Sequence, residues 1–225
     1  MEVIEGLIHD IDPKGEITIK APYNDWDKLA TRKYNKCLIG LTDGRKASVE
    51  QVRKAHVIIS EIADWVGDLP EYIKRLMKLR FIASQQSELY NELFSFSSCD
   101  MTIAREFITY LIDFMIEHHI PSNTPLRLLC EDIRKYTYAC LAHKRCAVCG
   151  LKGELHHIDA IGMGQDRTET VHEGMEAISL CREHHVECHS MGQTDFNLKY
   201  HLEGGVLLDQ KLCKKYKLKR SKISR

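Results

Sequence analysis

The chain has 225 residues, 44% of them apolar and 28% charged, a balance that suits a folded domain and excludes a long disordered one. Lys+Arg and Asp+Glu stand at 32 each, which rules out a uniformly basic coat for nucleic acid but leaves room for a local basic patch. No apolar run approaches the roughly 20 residues of a membrane span, and Met-Glu-Val-Ile-Glu does not read as a secretory signal, so a cytoplasmic protein with no membrane partner is expected.

Val3, Ile4, Leu7 and Ile8 precede a turn at Asp12-Pro13-Lys14-Gly15, after which Ile17 and Ile19 alternate with polar neighbours, predicting a hairpin. A short helix is expected over Asp25 to Tyr34 and a third strand over Cys37 to Leu41. Ser48 with Gln51 three residues later forms a capping-box pattern. Val52, Ala55, Ile59, Ile62 and Ala63 then recur at helical spacing. A second helix is predicted over Tyr72 to Phe81, and a third from about Met101 to His119. Ile103, Phe107, Ile108, Leu111, Ile112, Met115 and Ile116 give that third helix a core stripe.

Pro121-Ser122-Asn123-Thr124-Pro125 stops that helix and marks a boundary. Leu126 to His143 reads as one further helix leading into Cys146. Residues 1–124 carry 15 basic and 19 acidic residues, and residues 125–210 carry 9 and 13. The last fifteen residues, 211–225, carry eight basic and no acidic ones, a basic tail.

Cys37, Cys99, Cys130 and Cys140 lie in periodic apolar segments and read as small buried hydrophobes. Cys146, Cys149, Cys181 and Cys188 fall instead in one stretch, with eight of the twelve histidines between His143 and His201. In a reducing compartment such clustering points to metal rather than disulfides. Cys146-x-x-Cys149 and Cys181-x-x-His184 share a two-residue gap and together make a Cys₃His set, which closes a tetrahedral structural Zn²⁺ site. Cys188 is a possible substitute ligand without a knuckle partner. His185 and His189 lie one helical turn apart, and the adjacent pair His156-His157 would place its rings on opposite sides of a strand.

Cys146-x-x-Cys149, Leu155-His156-His157-Ile158 and Leu180-Cys181-x-x-His184-His185-x-x-x-His189 resemble an HNH endonuclease with a zinc-stapled ββα-metal core, over residues 146–190. The resemblance implies His156, His185 and His189 as ligands of a catalytic Mg²⁺ or Mn²⁺ and His157 as the general base. One departure is that Glu176 stands where the family's middle Asn is usual, with His172 nearby but out of register. A carboxylate there could ligate a hard cation but lacks the amide donor.

Arg45, Lys46, Arg53 and Lys54 surround a helix start, where backbone N–H groups also favour phosphate. Their pattern, after a hairpin and an apolar strand, resembles the NinB/Orf phage recombination mediators, loosely over residues 1–120. That resemblance implies single-stranded DNA binding, cooperation with single-strand-binding protein and a homodimer.

The expected fold class is α+β, with a NinB/Orf-like DNA-binding domain over 1–124, a lead-in helix plus HNH domain over 125–210, and the tail over 211–225. The expected function is a phage-type, metal-dependent DNA endonuclease of recombination or replication, acting on single-stranded or branched DNA. The alternative is a non-catalytic recombination mediator with a degenerate HNH zinc module. Dense basic residues at Arg45–Lys54 and in the tail are expected to make most phosphate contacts.

Overall fold

A computed structural model describes residues 6–25, 27, 28, 31, 39, 44–84, 94–96, 98–158 and 170–220. Within these residues the fold is α+β, with helices around two small antiparallel sheets. The expected hairpin forms from β1 (Leu7–Ile11) and β2 (Ile17–Lys20). Asp12 makes its turn: the carboxylate accepts from the N–H groups of Lys14 and Glu16, and Gly15 takes φ 87°. The strand expected over Cys37 to Leu41, and most of the helix expected over Asp25 to Tyr34, lie outside the described residues.

Three helices follow: α1 (Val49–Val66), α2 (Pro70–Ser84) and α3 (Met101–Glu117). The capping box is present in full, with Ser48 Oγ accepting from Gln51 N–H and Gln51 Oε1 accepting from Ser48 N–H. Gly67, at φ 79°, ends α1 in the left-handed region that a side chain would strain. Ile58, Ile59 and Ile62 of α1 meet Ile73, Met77 and Phe81 of α2 and the Phe107–Met115 stripe of α3. Phe81, Phe94, Phe96 and Phe107 interlock edge-on or tilted at ring-centroid distances of 5.2–6.0 Å.

The single helix expected from Leu126 to His143 is two: α4 (Leu126–Leu129) and α5 (Ile133–His143). Asp132 breaks it by capping α5, its carboxylate accepting from Lys135 N–H. Glu131, in the gap, turns back to α1, where Lys54 Nζ lies at 2.7 Å and Gln51 Nε2 at 3.2 Å. Tyr136, Ala139 and Cys140 of α5 join the same buried cluster as α1–α3, so the core runs continuously across the Pro121–Pro125 segment.

The second sheet has the order β3 (Glu154–His157), β4 (Glu176–Leu180), β5 (Val206–Leu207), all antiparallel. Helices α6 (Arg182–Met191) and α7 (Gln193–Tyr200) follow β4. The basic segment does not start as a loose tail. Residues Gln210–Tyr216 form α8, whose Leu212 and Cys213 are buried against Leu141, Ala177 and Leu208. No described helix is long and apolar enough to cross a membrane.

Candidate functional site

The turn after α5 builds the first cluster. Lys144 stops the helix at φ 55°, and Arg145 bridges Lys152 across the Cys146–Cys149 knuckle. Three outside groups hold the knuckle's backbone: Tyr136 Oη donates to the Ala147 carbonyl at 2.9 Å, Arg127 donates to that of Val148 at 2.7 Å, and Ser179 accepts from Ala147 N–H. Gly153 is required by close approach, because a Cβ there would stand 2.3 Å from Ser179 Oγ and 3.0 Å from the backbone at Arg145 and Cys146. Cys181 caps α6, and His184 lies in its first turn.

Their ligand atoms converge. One ligand atom from each of Cys146, Cys149, Cys181 and His184 falls within 4.8 Å of all the others. Cys149 Sγ is 3.7 Å from Cys181 Sγ, and Cys146 Sγ is 3.6 Å from His184 Nδ1. A tetrahedron with Zn–S bonds of about 2.3 Å and Zn–N bonds of about 2.0–2.1 Å has edges of about 3.8 and 3.6 Å. Those two distances match, while Cys181 Sγ to His184 Nδ1, at 3.0 Å, is shorter; the donor set thus fits a four-coordinate metal in kind and number and leaves no position for a reactant.

The second cluster lies across β3 and α6. In the β3–β4 register Glu154 faces Leu180 and His156 faces Ile178, so these four share a sheet face. His185 and His189 approach that face from α6, one turn apart, with ring centroids 4.9 Å from each other. The His156 ring is 4.7 Å from His185 and 4.9 Å from His189. One nitrogen from each of the three lies within 4.8 Å of the others. Burial, then the neighbouring His185 and His189, pushes the pKa of His156 down to about 4. At neutral pH its ring is uncharged and has a lone pair to offer a cation.

Glu154 orients this cluster and was not singled out from the sequence. Its carboxylate is 2.7 Å from His185 Nδ1, and Arg182 approaches the same oxygen at 3.8 Å. The hydrogen bond to His185 holds the Glu154 carboxyl below its usual range. The signal was available: a residue two before His156 on a strand must share its face. Cys188 belongs here and not with the thiolates. Its Sγ is 3.6 Å from His156 Nε2 and donates to Gln193 Oε1 at 3.3 Å, which corrects its reading as a substitute zinc ligand.

His157 is on the opposite sheet face, paired with Ala177. Its ring lies 4.9 Å from that of His172, which is 4% exposed. The turn leading to β4 thus brings together two histidines fifteen residues apart in sequence. Glu176 is not drawn into the histidine cluster. Its Oε1 is 3.2 Å from where a Cβ on Gly204 would stand, and among the described residues no carboxylate joins the His156–His185–His189 group.

The four basic residues of the N-terminal block have separate surroundings. Arg45 and Lys46 sit where the chain pairs with Asp100 and Met101. Arg53 is exposed, paired with Glu50 at 2.8 Å. Lys54 points inward: its side chain is 18% exposed and bound to Glu131, so it is held in the fold instead of facing solvent.

Searches of curated proteins and of solved structures find no match. The sequence profile of a family described as "Putative HNHc nuclease" does match, over residues 22–219. The match spans the helical region and both histidine-containing clusters in one stretch, and it gives no separate support to the NinB/Orf likeness of residues 1–120. A profile that covers most of the chain and includes both candidate ligand clusters settles the family: this chain belongs to the HNHc nuclease family.

Proposed function

We propose that the protein is a divalent-metal-dependent DNA endonuclease that hydrolyses phosphodiester bonds at the His156–His157 edge of β3. The observation that carries this reading is the convergence of His156, His185 and His189 within 4.8 Å, with His157 next in the chain on the other strand face. Cys146, Cys149, Cys181 and His184 would hold a structural Zn²⁺. His156, His185 and His189 would hold Mg²⁺ or Mn²⁺. Bound there, a divalent ion would supply positive charge to offset that developing on the scissile phosphate and its departing 3′ oxygen.

The chain's own residues supply the remaining chemistry. Hydrolysis needs a water stripped of a proton as it attacks phosphorus, and a neutral imidazole does this near pH 7. His157 is that base, and His172 packs against its ring and limits its rotation. Glu154 accepts the Nδ1–H of His185, which leaves Nε2 for the ion.

Residues 1–124 are read as a DNA-binding region, with Arg45, Lys46 and Arg53 as phosphate contacts. Recombination or replication of phage DNA in the host cytoplasm, a dimeric state and cooperation with single-strand-binding protein are parts of the same proposal. Glu176, turned toward Gly204, favours one second reading, a non-catalytic DNA-binding mediator. Incubation with single-stranded, duplex and branched DNA in Mg²⁺, Mn²⁺ or chelator, beside a His157→Ala control, tests both. Metal-dependent cleavage lost in the control supports the nuclease; binding without cleavage under every ion supports the mediator.

A further inference from the structure

Residues 211–220 contain Lys211, Lys214, Lys215, Lys217, Lys219 and Arg220 and no acid, whereas residues 1–210 carry an excess of acidic residues. Such a run in sequence alone reads as a solvated tail. The fold gives it a fixed place. Leu212 and Cys213 are 2% and 0% exposed, packed on the sheet face that carries His157. Tyr216 Oη donates to the Leu141 carbonyl at 2.9 Å, and Lys217 ends α8 at φ 57°. With the inner face anchored, helical spacing puts Lys211, Lys214 and Lys215 together on the outer face, all exposed.

The segment then returns to the site. His172 N–H donates to the Lys219 carbonyl at 3.0 Å, and the His172 ring lies 4.9 Å from that of His157. The basic segment is therefore tied to the His157 ring through one residue. Lys144 adds a further cation, its Nζ 5.1 Å from the Tyr216 ring. The nearest acid in sequence, Asp209, is engaged by Leu212 N–H at 2.7 Å and Tyr138 Oη at 2.8 Å.

We propose that α8 and Lys217 to Arg220 after it form the surface that takes the sugar–phosphate backbone of DNA on the His157 side of the site. This rests on the nuclease reading for its substrate class, and adds to it which surface the strand follows. A row of lysines supplies point charges to phosphates without choosing a base. Its anchoring limits how far a bound strand can shift relative to His157. Retention on the protein then depends on this segment more than on the Arg45–Arg53 block, where Arg53 faces Glu50 and Lys54 is turned inward.

The test is a salt titration of DNA binding without added Mg²⁺ or Mn²⁺, comparing wild type with Lys214→Gln/Lys215→Gln/Lys217→Gln/Arg220→Gln. These side chains are exposed and the buried anchors stay, so thermal unfolding should be unchanged. Each lost phosphate contact flattens the log–log salt slope by about 0.7 on single strands and about 0.9 on duplex. The expected change is a slope shallower by about 2–4, with the fourfold Lys/Arg exchange retaining the wild-type slope. A slope equal to wild type overturns the proposal. So does loss of binding to phosphatidylserine vesicles with the DNA slope intact, which would mark a lipid-facing segment. Wild-type protein that binds DNA but never cleaves it would defeat the nuclease reading and leave this comparison standing. Cleavage with an unchanged slope would defeat this proposal alone.

Discussion

Glu154 Oε1 accepts a hydrogen bond from His185 Nδ1 at 2.7 Å. An ionised carboxylate can only accept, so the proton is on Nδ1 and Nε2 is the nitrogen left with a lone pair. Glu154→Ala frees the ring to rotate and change tautomer. The expected outcome is a 10–100-fold weaker affinity for Mn²⁺, with the fold intact because Glu154 is exposed. Titration of cleavage against Mn²⁺ concentration checks it, and an unchanged half-saturation point would sink the assignment.

His157 and His185 should fail differently. His157→Ala should cut cleavage by ~10²–10⁴-fold while Mn²⁺ binding stays near wild type. His185→Ala should weaken Mn²⁺ binding itself, so that added ion restores part of the rate. Calorimetric titration beside single-turnover cleavage separates the two. Wild-type cleavage by His157→Ala would remove it as the base.

The thiolate cluster is expected to hold one tightly bound Zn²⁺ per chain. Its neighbours Ala147 and Val148 are buried but belong to a short turn, so a bound metal would carry much of the local stability. Cys181→Ser should lose the ion and loosen β3, β4 and α6 together. Elemental analysis of freshly purified protein, with hydrogen exchange on the variant, reads both effects. Little zinc in wild type, or protection unchanged in Cys181→Ser, would contradict them.

Lys54 and Arg53 are adjacent in sequence but should respond in opposite ways. Lys54→Ala leaves the half-buried Glu131 carboxylate with Gln51 Nε2 alone and should cost on the order of 1–2 kcal/mol. Arg53→Ala removes an exposed pair and should change stability by less than about 0.5 kcal/mol. Only Arg53→Ala should then weaken DNA binding without moving the unfolding midpoint. Denaturant melts with a binding assay decide; equal destabilisation by both would show that the Glu131 pair contributes nothing special.

The core itself makes a plainer prediction. Phe107 is fully buried between Phe81, Phe94 and Phe96. Phe107→Ala should cost about 3–5 kcal/mol, measured by chemical denaturation. A loss below about 1 kcal/mol would mean that the four rings do not form a packed core.

What the sequence disclosed was local. The stripe on α3, the Ser48–Gln51 box and the gaps within Cys146–Cys149, Cys181–His184 and His185–His189 repeat over three to seven residues, so they can be read by period. At the break over Cys130–Asp132 the Asp132 cap is local, but the direction of Glu131 is not, because its partner Lys54 lies 77 residues earlier. Leu212 and Cys213 stand alone as apolar residues in a basic run, and their burial depends on Leu141 and Ala177, far away in sequence. His172 was visible but had no role, since its nearness to His157 depends on how the chain returns into β4.

Tyr136 and Arg127 hold the Cys146–Cys149 knuckle by its carbonyls, and Tyr136 is itself buried in the cluster shared with α3. The part that carries both ligand clusters is thus not a self-contained cassette. Excised at the proline-flanked loop, it would keep every ligand yet expose the apolar side of α5, and the fragment should be sticky and poorly soluble. A graft that transplants the histidine cluster into another protein would have to bring along α3, or a helix that covers the same side.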